Sequence, residues 1–367
     1  MIGLLGSIAQ PALFALEPEQ AHKATIKALQ NMPKALCKTK RYDSLETNIA
    51  GLTFANPLGM AAGFDKNAEV PLQLLNLGFG FTEVGTITPL AQPGNPAPRV
   101  FRLYKERSLI NRLGFNNEGH APALARLEKM PLTARSGPVG VNVGANKESE
   151  DRIADYVAGI KAFFPNADYF TVNISSPNTP GLRNLQHGDE LKRLLNDVSE
   201  ARSEQELIHK TVMRRPIFLK LAPDLEEEAL DEIINIVNNS DFDGVIMSNT
   251  TLSRQGAENN DLHEEQGGLS GRLVFDRSTI MLAKTRQRLD KSKIVIGVGG
   301  IYNAQTALAK IEAGANLIQI YTGLIFEGIG VVNRILSGLD TVLLERDAMN
   351  ITELVGTKTD EWAAKQV

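Results

Sequence analysis

The sequence predicts an α/β fold: a (β/α)8 TIM barrel carrying a small N-terminal helical lobe. Three observations carry this reading. Eight short apolar runs recur between residues 56 and 322, most of them rich in Val, Ile and Leu, as parallel strands covered by helices should be. Stretches with helical patterning separate several of these runs. The length of 367 residues suits one barrel with insertions.

The elements follow in order. Residues 1–16 carry Ile2, Leu4, Leu5, Ile8, Leu13, Phe14 and Leu16. Pro18 stands where a second helix begins, with Glu19 in its first turn. That helix runs through Ala21, Ala24, Ala28 and Leu29 and stops before Pro33. Two short apolar helices either cap the barrel or form an interfacial, ligand-access element, and the residues alone leave both open. The pattern changes near residue 45, which divides the chain into a lobe, 1–44, and a barrel, 45–367.

The predicted strands are NPLGMAA (56–62), FTEVGTI (81–87), PVGVNVG (138–144), YFTVNIS (169–175), PIFLKLA (216–222), GVIMSNT (244–250), KIVIGVG (293–299) and NLIQIYT (316–322). Helices are expected over 67–77, 149–163, 189–206, 225–239, 276–290 and 303–313. The longest stretch without a predicted strand is 88–137. It and the insertion LSRQGAENNDLHEEQGGLSG are expected at the active-site face, because long connections in compact domains usually hold functional structure.

Composition removes several classes of function. A formal net charge of -4 argues against a general nucleic-acid surface. Cys37 is the sole cysteine, so an internal disulfide is excluded, and it reads as a small hydrophobe. His22, His120, His187, His209 and His263 show no zinc-hydrolase spacing, and no metal is expected. No apolar run reaches the ~18 residues of a spanning helix. The N-terminus lacks the basic start of a signal peptide and is expected to remain in the mature protein.

The strongest chemical signal is polar residues at the strand ends, where barrels of this kind bind ligands. Lys66 follows the first strand, Thr86 ends the second and Asn142 the third. Asn173, Ser176 and Asn178 end the fourth, Lys220 the fifth, and Ser248, Asn249 and Thr250 the sixth. Asparagine amides both donate and accept, which suits a planar heterocycle with alternating N–H and C=O groups. Lysines supply positive charge for a carboxylate or for charge that develops in a reaction. Gly299 and Gly300 in GVGG, then Tyr321 and Thr322, match the phosphate site common after the last two strands of such barrels. The spacing is neither a nucleotide-hydrolase loop nor a dinucleotide fingerprint, so a mononucleotide such as FMN fits better than NAD or ATP. Asp65 reads as a loop-orienting residue. Ser176 lacks a nucleophile elbow and an evident triad, which leaves it a proton-transfer role. A phosphate-sugar barrel isomerase or lyase without a redox cofactor and a non-catalytic membrane-interaction protein are the competing readings from other classes.

Together the segments NPLGMAAGFDKN, EVGTITP, PRVFRLYKERSLINRLGFNN, GVNVGANK, VNISSPNTPGLR, FLKLAPD, SNTT, GGLSG, IGVGGI and IYTGL resemble the dihydroorotate dehydrogenase family, in family order and over roughly residues 18–335. The resemblance implies oxidation of dihydroorotate to orotate in pyrimidine biosynthesis, with one non-covalent FMN per chain. The sequence has N-x-S-S-P-N where another group of the family has a cysteine, and an apolar lobe ending in EPEQAH. Both features resemble the quinone-dependent, membrane-associated (class 2) group. They imply a membrane quinone (ubiquinone or menaquinone) as acceptor and a lipid bilayer surface as partner. A monomer, peripheral on the cytoplasmic face of a bacterial cell membrane, is the matching expectation. The nearest alternative is another FMN-dependent barrel oxidoreductase.

By position, Ser176 resembles the family's catalytic base. Lys66, Asn111, Leu113, Gly114, Phe115, Asn173, Asn178, Asn249 and Thr250 resemble residues around the substrate. Ala62, Gly63, Thr86, Asn142, Asn173, Lys220, Ser248, Ser270, Gly271, Gly299, Gly300, Tyr321 and Thr322 resemble the flavin shell. His22 and Arg102 resemble residues lining the quinone tunnel. Two departures are Ser248, where many relatives carry threonine, and Leu13, where some carry glutamine.

Overall fold

A computed structural model describes residues 10–33, 39–179, 181–210 and 212–366. Ile2, Leu4, Leu5, Ile8 and Cys37 lie outside the described residues. Among these described residues thirteen strands are numbered in chain order. Eight of them close a barrel: β3 (Leu58–Asp65), β4 (Phe81–Ile87), β7 (Val139–Val143), β8 (Tyr169–Asn173), β9 (Ile217–Leu221), β10 (Gly244–Met247), β12 (Ile294–Val298) and β13 (Leu317–Ile320). All neighbours are parallel, and β9 pairing with β10 and β13 with β3 complete the circle. Each predicted strand is present, generally a residue or more shorter at its ends. The polar strand-end residues mostly stand just past the last ladder pair, which frees their side chains for the mouth.

The helices Arg152–Phe163, Gly188–Ile208, Glu227–Asn238, Phe275–Arg288 and Ala304–Glu312 cover the barrel where predicted. Each strand buries apolar side chains outward under this shell, and Val141, Val172, Leu219 and Val245 join one large core. The barrel floor is separate. A hairpin of β1 (Thr47–Ile49) and β2 (Leu52–Phe54), absent from the sequence reading, closes it. Phe54 packs edge-on against Phe81, and Tyr169 packs edge-on between Phe81 and Phe218. Gly140 permits this layer, because a Cβ there would lie 2.1 Å from the Tyr169 ring.

One expectation needs correction. The stretch 88–137 is not strand-free. It contains β5 (Val100–Leu103) and β6 (Ser108–Asn111), an antiparallel hairpin. β11 (Gly268–Gly271), from the second insertion, adds to β6 and makes a three-stranded sheet. Short strands with Arg102, Ser108 and Asn111 among the apolar residues carry too little periodicity to stand out. The second partner of β6, β11, lies more than 150 residues away, which no local pattern reveals. Both insertions meet over one end of the barrel, as expected.

In the lobe, residues 10–15 are helical and are followed by the helix Pro18–Gln30. Glu17 caps the latter by accepting from the backbone N–H of Glu19 at 3.0 Å and of Gln20 at 3.1 Å. Ile26 and Leu29 join the main core, so the second helix is fixed to the barrel. Arg99 at the start of the hairpin grips Glu19 through Nε at 2.5 Å and Nη2 at 3.0 Å.

Candidate active site

A cavity of about 1340 Å3 runs from the lobe to the barrel mouth. Leu13, Phe14, His22 and Ile26 line its apolar end, and Ser176, Lys220 and Asn249 line the polar end. Of the predicted site residues all but Asn142 line this cavity. Residues from the lobe, from most of the barrel strand ends and from both insertions therefore converge, which none of those segments could show alone.

At the polar end, Ser176 and Ser175 diverge. Ser176 lines the cavity, and its Oγ accepts from the backbone N–H of Asn178 at 3.2 Å. Ser175 is fully buried and already committed, donating to Asn173 Oδ1 at 2.9 Å and accepting from Asn249 Nδ2 at 2.9 Å. β8 ends at Asn173, so the two serines differ through the turn that follows rather than through strand alternation. Asn178 donates through Nδ2 to the Asn111 carbonyl at 3.2 Å, tying the serine loop to the β6 hairpin. Gln92 holds the Gly114 and Phe115 carbonyls at 3.1 and 3.2 Å, which shapes the rim opposite.

Two lysines supply charge. Lys220 on β9 is buried at 5% exposure and finds no hydrogen-bond partner among the described residues. Burial pulls its ammonium below the ordinary lysine range, and the Glu83 carboxylate opposes that pull. Burial pushes Lys66 down to about 8, with Glu19 opposing and Arg99 reinforcing the shift. Asp65 beside it accepts the backbone N–H groups of Glu69 and Val70, both at 2.8 Å, and so orients the loop as expected.

The residues present fit a flavin mononucleotide. Lys220 offers an unpaired ammonium, and Gln319 lines the cavity with Oε1 buried and without a partner among the described residues. Gly300, at φ +75°, brings backbone close to the Phe275 helix, where a Cβ would sit 2.4 Å from Phe275 Cα. Ser270 and Thr322 share a hydrogen bond at 2.9 Å beside it. Asn142 does not reach the cavity. It accepts from Thr86 at 2.5 Å and donates to Glu83 at 2.8 Å, so it acts from behind Thr86.

At the apolar end, His22 packs edge-on against Phe64, and Phe64 edge-on against Tyr321. These rings join the lobe to the barrel mouth. Burial, with Lys66 and Lys23 nearby, lowers His22 to about 3, so its imidazole is neutral at physiological pH. Arg102 donates to the Leu16 carbonyl at 2.8 Å and sits over the Phe14 ring. Its charge thus stands at the lobe end of the cavity. Glu83, Gln319, Phe64 and Glu19 were missed from sequence. Glu83 carried a readable signal, a carboxylate inside an otherwise buried strand.

Fold and cavity define a class: a closed (β/α)8 barrel whose polar strand-end cup opens into an apolar, lobe-covered tunnel. The family profile for dihydroorotate dehydrogenase matches residues 44–343, and the chain belongs to that family. Curated relatives called dihydroorotate dehydrogenase (quinone) from Brucella ovis and Brucella abortus are 53% identical over 367 residues, covering 100% of both chains. Two solved structures of DHODH from Eimeria tenella, one with ferulenol and one ligand-free, each superpose with a TM-score of 0.87 at 36% identity. They cover 93% of this chain and 95% and 99% of theirs.

Proposed function

We propose that the chain oxidises dihydroorotate to orotate at the barrel mouth and passes the two electrons to a quinone arriving through the lobe. One observation carries the reading: a single cavity joins a polar cup containing Ser176 and Lys220 to an apolar tunnel beneath the N-terminal helices. FMN, held non-covalently and one per chain, supplies the acceptor for the C6 hydride and the route onward to quinone.

The chain's own residues do the rest. Ser176 takes the C5 proton as its own hydroxyl proton passes to water in the cavity, and the Asn178 N–H donated to its Oγ favours the oxygen as that proton leaves. Lys66 offers its ammonium to the substrate carboxylate. Asn111, Asn173, Asn178 and Asn249 present amides to the ring, with Thr250 and the Leu113–Phe115 rim enclosing it. Lys220 balances negative charge that arrives with the electrons. Gly299, Gly300, Ser270, Gly271, Tyr321 and Thr322 form the cradle on the phosphate side, and Ala62, Gly63, Thr86 and Ser248 complete the shell. His22 and Arg102 flank the quinone path.

No helix among the described residues is long and apolar enough to cross a membrane. The lobe's apolar helices support a peripheral attachment, which we place on the cytoplasmic face of a cell membrane, with the chain acting as a monomer. The deciding experiment is steady-state oxidation of dihydroorotate by the purified protein with a long-chain quinone, fumarate or NAD as sole acceptor. Turnover with quinone alone is expected. Turnover with fumarate or NAD instead, or no reduction of bound flavin by dihydroorotate, would overturn the reading.

A further inference from the structure

The barrel interior holds a carboxylate that touches nothing in the cavity yet connects to much of its lining. Glu83 points inward from β4, is fully buried, and accepts four hydrogen bonds. Asn142 Nδ2 donates to Oε1 at 2.8 Å. Gln319 Nε2 at 2.8 Å, Thr171 Oγ1 at 3.0 Å and the Tyr169 hydroxyl at 3.2 Å donate to Oε2. The donors come from β7, β13 and β8, so the carboxylate is a hub between strands rather than one half of a local pair.

An ionised carboxylate has no proton to give, so each neighbour must donate to it. That requirement propagates. Asn142 spends its amide N–H on Glu83 and therefore turns Oδ1 toward Thr86, which donates to it at 2.5 Å. The Thr86 oxygen then accepts from Asn173 Nδ2 at 3.0 Å. Asn173 is left with Oδ1 facing Ser175, whose hydroxyl donates at 2.9 Å. Ser175 in turn accepts from Asn249 Nδ2 at 2.9 Å. Every donor along this wire points back toward Glu83. Backbone N–H groups brace the far end, Ser175 N–H on Asn173 Oδ1 at 3.3 Å and Thr250 N–H on Asn249 Oδ1 at 2.8 Å, and the carboxylate at the near end admits only the same direction.

We infer that Glu83 is a positioning residue, whose carboxylate sets the direction of the wire Asn142–Thr86–Asn173–Ser175–Asn249 and thereby fixes which amide atoms the cavity-lining Asn173 and Asn249 show to the substrate ring. A second branch points the same way. Gln319 spends its N–H on Glu83 and keeps Oε1 as an unpartnered acceptor at the cavity. The inference rests on dihydroorotate and orotate being the ligands of this site.

The test compares FMN-loaded native protein with Glu83→Gln, Ser175→Ala and the double variant. Orotate affinity is read from the flavin absorbance change, dihydroorotate reduction by stopped flow, and folding by thermal melting. Glu83→Gln keeps the shape but lets the amide donate or accept, so the wire loses its enforced direction. Orotate is expected to bind about tenfold more weakly, the loss of roughly one well-made hydrogen bond. KM for dihydroorotate should rise in step, with a smaller change in the limiting rate. Ser175→Ala cuts the wire at its far end and should give a similar loss. The double variant should be no worse than the weaker-binding single one, because both remove the same constraint. Additive losses, or native orotate affinity in a folded Glu83→Gln protein, would overturn the inference. If Glu83→Gln does not fold, Thr86→Val replaces it and cuts the wire without touching the carboxylate, with the same expected non-additivity. If the native protein fails to bind orotate, the function proposed above falls, and that outcome is visible before any variant is made.

Discussion

At the scale of single residues the site separates groups that act from groups that hold. Ser176 is the exposed-to-cavity serine, while Ser175 is consumed by two hydrogen bonds. Ser176→Ala should slow flavin reduction by dihydroorotate by about 10²–10⁴-fold, the usual contribution of a general base. Flavin content should stay native; stopped-flow reduction at the native rate would remove Ser176 from its role. Lys66 makes a pH prediction. Burial has brought it down to about 8, so its charge is lost as pH rises through that value. Orotate should bind most tightly below pH about 8 and weaken by up to about tenfold per pH unit above it. A bound carboxylate raises the lysine's own pKa, so the loss appears first in the free protein. Lys66→Met should bind weakly with a flat profile across this range. Native affinity that stays level to about pH 10 would detach Lys66 from the carboxylate.

At the scale of elements, the strands were the legible part. A parallel strand buried on both sides writes a run such as FTEVGTI, and the polar residues ending it are conspicuous by contrast. The sheet of β5, β6 and β11 was not legible, because its order depends on pairing between distant insertions rather than on a repeating pattern. Glu83 was written plainly in FTEVGTI, but its meaning depends on donors from three other strands, whose distances appear only once the barrel closes. The Glu19–Arg99 pair belongs to the same category. It joins the lobe helix to the hairpin, and both side chains are mostly shielded, at 12% and 22% exposure for Arg99 and Glu19. The Arg99 guanidinium holds the Glu19 carboxyl below its usual range. A depressed carboxylate stabilises above its unfolded pKa, and that contribution fades as pH falls through the folded one. Glu19→Gln should therefore cost about 0.5–1 kcal/mol near neutrality after solvent screening, with the difference from native closing in acid. Thermal melts of both proteins from about pH 3 to pH 8 would show it; a constant difference across that range would mean that the pair contributes nothing through charge.

At the scale of the whole molecule, the proposed function assigns the two ends of the cavity to two half-reactions and gives the quinone half to the lobe. A cut that tests this division must spare the helix Pro18–Gln30, since Ile26 and Leu29 are part of the barrel's own core. Removing residues 1–16 meets that condition. Phe14 packs against Tyr104 and Phe326 at 5.8 Å from each ring, and the Leu16 carbonyl accepts from Arg102. Loss of this segment opens the apolar end of the cavity and frees the Arg102 guanidinium, while the polar cup keeps its wall. Reduction of the flavin by dihydroorotate should then proceed at close to the native rate. Reoxidation by a long-chain quinone in vesicles should fall by about tenfold or more, because a long tail gains its binding from apolar surface withdrawn from water, at about 0.8 kcal/mol per buried methylene. A short-tailed, water-soluble quinone loses little by the same argument and serves as the control. If the helices serve to brace the barrel instead, the truncated protein should melt earlier and both half-reactions should decline together. Vesicle flotation reads the membrane contact directly. Native turnover with the long-chain quinone and native vesicle binding in a folded truncated protein would reject the division of labour between lobe and barrel.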